Sequence, residues 1–151
     1  MKKILLSIII FLTIFSLTGC GKKEIQNNNQ EEKKDYNNEV VNSMKVIIND
    51  QEYSVNLENT ETVNSLIKLL PMELKMSELN GNEKYYYLDS SLPTNSYNPK
   101  RINKGDIMLY GDNCIVIFYK DFDTSYSYTK IGHIDNLEDL DNSNIIVKFI
   151  K

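Results

Sequence analysis

Tryptophan is absent from the 151 residues, and arginine, histidine and cysteine occur only once, once and twice. The single Arg101 and scattered lysines form no basic stripe, which excludes the phosphate contacts that a nucleic-acid partner needs. His133 is the only histidine, and no cysteine or histidine stands at ligand spacing, so no zinc site and no cofactor are expected. Long apolar runs are also lacking. Ile4 to Leu17 stops after 14 residues at Thr18-Gly19-Cys20. A bilayer crossing needs about 20, so a permanent transmembrane helix would have to take in the polar Gly21-Lys22-Lys23, and an uncleaved anchor and an ordinary cleaved signal are the lesser alternatives.

That short run nonetheless has a layout. Lys2 and Lys3 precede it as a positive flank, and it closes on small residues, as secretory signals do. Leu17-Thr18-Gly19-Cys20 looks like a bacterial lipobox, which implies a signal peptide over 1–19 and a diacylated Cys20. Two acyl chains hold a protein on a membrane far more durably than one. The expected location is the outer, extracytoplasmic face of the cell membrane, with the membrane itself as a partner through the anchor. Residues 20–43 then form a tether. Its four lysines and five acidic residues nearly cancel, and it has almost nothing to bury. A flexible chain of this length spans roughly 25 to 30 Å end to end.

Met44 to Lys151 is the right size for one domain with one core. It carries eleven basic and sixteen acidic side chains, a net charge near minus five. With Cys20 acylated, Cys114 has no partner for a disulfide, and packing must supply the stability. The runs Val46–Ile48 and Tyr53–Leu57 flank the turn-prone Asn49-Asp50 and predict a hairpin. Val63, Leu66, Ile67 and Leu70 form one helical stripe, capped by Thr60 or Thr62 and ended by Pro71. A strand follows over Met72 to Leu79, a turn at Asn80-Gly81-Asn82, a strand over Lys84 to Leu88, and a long loop over Leu92 to Lys104. Asp106–Tyr110 and Cys114–Tyr119 predict a second hairpin, and Thr129–Ile134 and Ile145–Ile150 two further strands. Cys114 to Tyr119 is apolar on both faces, so it must be covered by the barrel interior on one side and by another segment on the other. Many strands with one or two short helices predict a mainly β protein and a closed β-barrel.

The helix ending Leu69-Leu70-Pro71, then Gly105-Asp106-Ile107, Ile117-Phe118-Tyr119-Lys120-Asp121 and Ile131-Gly132-His133-Ile134-Asp135, in that order, resemble the bacterial cyclophilin-like small β-barrel domains. The resemblance spans nearly all of 44–151 and implies a closed cyclophilin-like β-barrel, but no fixed activity. Prolyl isomerisation must lower a barrier of about 18–20 kcal/mol with a donor that disrupts amide resonance beside a proline pocket. Prolyl-isomerising cyclophilins place an arginine on a strand for this. Here Arg101, the one catalytic candidate, falls in Asn98-Pro99-Lys100-Arg101 and outside any Phe-His-Arg motif.

Other constellations point to no chemistry. Asp135 to Asn144 is rich in oxygen ligands but lacks the glycine and closing glutamate of a calcium loop. Cys114 lies in an apolar strand, the setting of an inert thiol rather than of a nucleophile served by His133. Asp121 and Asp123 read as loop charges, not as a rigidly held acid pair. Tyrosines are the conspicuous stock. Most serve strand packing, and Phe118, Tyr119, Phe122 and Tyr126 are the segment expected to bind a ligand. The functional reading is a monomeric, membrane-anchored module that binds a peptide or protein ligand. The rivals are an extracytoplasmic peptidyl-prolyl isomerase and a structural envelope protein. A concavity with a guanidinium favours the enzyme, a concavity without one the binder, and a flat surface the structural role.

Overall fold

The computed structural model describes residues 43–151. The expected signal peptide over 1–19, the lipidated Cys20 and all but the last residue of the tether lie outside the described residues. The first hairpin joins β1 (Ser43–Ile48) to β2 (Gln51–Leu57). Asn49 and Asp50 both take positive φ, the two-residue turn whose twist matches that of paired strands. Thr60 then caps α1 (Glu61–Ile67), its hydroxyl accepting from the Val63 N–H at 3.3 Å. Beyond the helix come β3 (Met72–Leu79), β4 (Glu83–Tyr87), β5 (Arg101–Ile102), β6 (Asp106–Tyr110), β7 (Cys114–Phe118), β8 (Phe122–Asp123), β9 (Thr129–Ile134) and β10 (Ile145–Ile150).

Eight of these strands close into an antiparallel barrel in the order β1-β10-β3-β4-β7-β6-β9-β2. Closure pairs every barrel strand on both sides and leaves no sheet edge open. Alternation sends Met44, Val46 and Ile48 of β1, Ile107 and Leu109 of β6, Ile115 and Ile117 of β7, and Val147 and Phe149 of β10 into one core. In β9, Ile131 and Ile134 both face inward although three residues apart. A bulge permits this: Ile107 pairs with Gly132 and Met108 with Lys130, so Ile131 is the extra residue. Val63, Leu66, Leu70, Leu88 and Leu92 join the same core at the helix end of the barrel. Leu137 and Leu140 join it from the loop before β10, where the buried ammonium of Lys84 donates to the Asp141 and Ser143 carbonyls.

β7 is buried at all five positions, and both of its covers are visible. Its outward side chains Cys114, Val116 and Phe118 pack with Met108, Ile102 and Tyr128 in a second cluster, flanked by Tyr85 and Phe122. The cover is the excursion between β4 and β6, lying against the one between β7 and β9. The sequence reading of 92–104 as a plain loop is therefore corrected. Arg101 and Ile102 pair with Asp123 and Phe122 as a short ribbon, and Tyr97 and Tyr128 exchange both backbone hydrogen bonds at 2.9 Å.

Candidate functional site

On the outer face of the barrel, where the second cluster ends, lies a groove of about 280 Å³. Its position follows from strand register. Glu83, Tyr85 and Tyr87 alternate along one face of β4 and stand opposite Phe118, Val116 and Cys114 of β7, while Tyr110 of β6 stands on the far side of Cys114. Cys114 and Val116 form the floor, Tyr85 and Tyr87 one wall, and Tyr110, Tyr126 and Tyr128 the other. Leu79, Asn80 and Glu83 close one end.

The rings brace each other. Tyr85 meets Tyr87 edge to face at 5.8 Å, and Tyr110 meets Tyr126 in the same way at 6.1 Å. Tyr110 also tilts against Tyr128 at 5.6 Å, and Tyr128 stands edge-on to Phe118 at 5.5 Å. Such pairs contribute about 0.5–1.5 kcal/mol each beyond the area they bury. The wall is thus anchored at its root and wet at its rim, since Tyr87, Tyr110 and Tyr126 remain exposed.

Among the described residues, Glu83 is the only carboxylate lining the groove. Burial, and then the nearby charge of Glu78, push its pKa up. Burial also raises the Cys114 thiol, outweighing the hydrogen bond to Tyr87 that lowers it, so the sulfur stays protonated and unreactive at neutral pH. His133 is no partner for it. Cys114 pairs with Tyr110 at the end of β6, whereas His133 pairs with Asp106 at its start, with Nδ1 at 3.0 Å from the Asp106 carboxylate.

Of the four aromatic residues expected to bind, Tyr126 lines the groove. Phe118 is wholly buried beneath the second cluster, with Phe122 half-buried against it at 5.5 Å. Tyr119 turns the other way, into the barrel core, where its hydroxyl donates to Glu78 and Asn142 at 3.2 Å each. Arg101 lies outside the groove lining, and its guanidinium is taken up by Asp123 at 3.0 Å and Asp121 at 3.7 Å. Those two aspartates, read from sequence as free loop charges, brace the short ribbon instead. Glu83 and Tyr110 escaped the sequence reading. The i, i+2, i+4 spacing of Glu83, Tyr85 and Tyr87 was the available signal.

Two tyrosine hydroxyls predict a pH response. Burial, and next the Glu78 hydrogen bond, raises Tyr119 to about 12, and burial raises Tyr128 to about 12. An unfolded tyrosine loses its proton near 10, so the folded state keeps a proton the unfolded one has released. The stabilisation is complete below pH ~10 and is lost as pH climbs toward ~12, about 3 kcal/mol for each group. Lys84 works in the opposite sense, since burial lowers its pKa and the folded state deprotonates first. Tyr87 and Cys114 are raised as well, so the groups that lose stability as pH climbs outnumber Lys84 and leave a net alkaline loss. Tyrosinate absorbance should therefore show a late-titrating set that includes Tyr119 and Tyr128, whose ionisation coincides with loss of far-ultraviolet circular dichroism. Titration of every tyrosine near pH 10 with the barrel intact would refute it.

Among the described residues, a closed antiparallel barrel of eight strands with one short helix is the architecture of a cyclophilin-like fold. The family model agrees: residues 46–149, more than half of the chain, match the cyclophilin-like family, and the chain belongs to it. No curated protein and no solved structure is significantly similar to the chain.

Proposed function

We propose that this cyclophilin-like barrel is the ligand-binding head of an extracytoplasmic lipoprotein, anchored through Cys20 and binding a peptide or protein segment in the tyrosine groove. The observation that carries the binding half is the groove itself: five tyrosines converge on one concavity, three of them exposed at its rim. Rings with an apolar face and a hydroxyl edge suit a peptide that is partly apolar and partly hydrated. Arg101, engaged by two aspartates away from the lining, supports binding over isomerisation, because no guanidinium then stands beside a bound amide. The lipobox-like Leu17-Thr18-Gly19-Cys20 supports the anchor, and intact mass of the membrane-extracted protein would show the added acyl chains on Cys20 or rule them out.

Calorimetry on the full-length chain in detergent, against a panel of Xaa-Pro and proline-free peptides, tests the groove. For peptides that bind, Tyr87→Ala and Tyr126→Ala should each weaken affinity about tenfold, the loss of one aromatic contact of about 1.4 kcal/mol. Arg101→Ala should leave affinity unchanged. Unaltered affinity in both tyrosine variants would remove the groove from consideration.

A further inference from the structure

The tyrosine groove carries an unbalanced charge. Glu83 closes one end of it, half-buried and lowered into the same depression as Tyr85 and Cys114. Among the described residues it has no ion-pair partner and no side-chain hydrogen bond. Lys84 follows it in sequence, but strand alternation turns that ammonium to the barrel interior, onto the Asp141 and Ser143 carbonyls. Among the described residues no lysine or arginine lines the groove, and the barrel region as a whole is acidic, with sixteen acidic against eleven basic side chains over 44–151. A carboxylate brought out of water without a counter-ion is costly, and a cation entering beside it recovers that cost.

The walls favour the same guest. Tyr85 and Tyr87 stand at 80° to each other, and Tyr110 and Tyr126 at 89°. Each pair forms a corner, so a bound group meets aromatic surface from more than one direction. Aromatic rings attract ammonium and guanidinium groups by about 0.5–2 kcal/mol, most where water is excluded. The geometry points to an organic cation, an alkylammonium or guanidinium group, as the ligand of this groove, held among the tyrosines with Glu83 as its counter-ion. This rests on the groove being a binding site at all. The raised pKa of Glu83 agrees with it, since desolvation is the leading cause and a bound cation would reverse the shift.

The test compares acetyl-Gly-Lys-Gly-amide with its Nε-acetyllysine counterpart and with tetramethylammonium, each titrated into the full-length chain in detergent and followed by tyrosine ring NMR signals. The lysine peptide should shift Tyr85, Tyr87, Tyr110 and Tyr126, and the acetylated peptide should bind at least tenfold more weakly. Glu83→Gln should remove that preference while leaving the thermal midpoint unchanged or higher, since it deletes a desolvated charge. Tetramethylammonium binding as tightly as the peptide would identify a small free cation, and tight binding by the peptide alone a polypeptide side chain. If charged and acetylated peptides bind the groove equally, the cation inference fails while the groove stands. If neither peptide nor tetramethylammonium shifts any groove ring while other peptides do, the inference also fails. If no probe shifts a groove ring, both readings fall. Should Glu83→Gln fail to fold, the peptide pair on the unaltered protein decides alone.

Discussion

Lys84→Ala is expected to destabilise the barrel by about 3–5 kcal/mol, more than any groove substitution. Lys84 is fully buried, on the inward face of β4, in register with Ile117. Its stem fills core volume. Its ammonium donates to Asp141 O at 2.5 Å and Ser143 O at 2.7 Å and stands 4.7 Å from the centre of the Tyr119 ring. Alanine loses all three contributions: the packing, the charged hydrogen bonds and the cation–π contact. Lys84→Met keeps the stem volume and should cost only about 2 kcal/mol, because the two carbonyls belong to exposed residues and can recover water. Urea unfolding midpoints of the pair measure the difference. A cost below about 1 kcal/mol for alanine would show that this end of the barrel does not depend on Lys84.

Gly105→Ala should cost about 3 kcal/mol or more, and the reason is backbone rather than side chain. Gly105 sits at φ +98°, and a Cβ there would stand 2.3 Å from the Ile134 carbonyl oxygen, a backbone atom that cannot rotate away. The residue also ties three strands together. Its N–H donates to Phe118 O, and its carbonyl accepts from the Ile134 N–H, each at 2.8 Å. Moving it pulls the start of β6 from the end of β9. Gly111 provides the contrast, with φ +62° but nothing within 4 Å of an added Cβ. Gly111→Ala should cost only about 1 kcal/mol, the conformational penalty alone. Equal costs at the two positions, by chemical denaturation, would mean that the crowding at Gly105 relaxes freely.

Local chemistry made most strands legible. The strands Met72–Leu79, Thr129–Ile134 and Ile145–Ile150 keep the expected bounds, because each carries an apolar face that a register slip would expose, although the bulge at Ile131 interrupts the alternation of Thr129–Ile134. The two-sided burial of β7 was legible for a similar reason: five consecutive apolar residues cannot be half exposed. The segment 92–104 was not, since it has no period of its own. Its order comes from distant partners, such as Thr124 N–H to Lys100 O at 2.8 Å and the Tyr97–Tyr128 bridge. The groove fell between these cases. A binding surface that takes in both Phe118 and its neighbour Tyr119 conflicts with strand alternation, which sends Phe118 outward and Tyr119 inward. Tyr126 reaches the groove only because the β8–β9 excursion folds back over β6, and Glu83 and Tyr110 join it from two other strands. No single stretch of sequence contains that concavity.

We propose the tyrosine groove as the ligand site of this barrel. The most direct test is a chemical-shift titration of the isotope-labelled full-length chain with the Xaa-Pro and proline-free peptides, adding exchange spectra on the cis and trans signals of each proline. Shifts centred on Tyr85, Tyr87, Tyr110, Tyr126 and Cys114, without faster exchange, are the predicted result. Accelerated exchange abolished by Arg101→Ala, or shifts confined to a surface away from these residues, would contradict it.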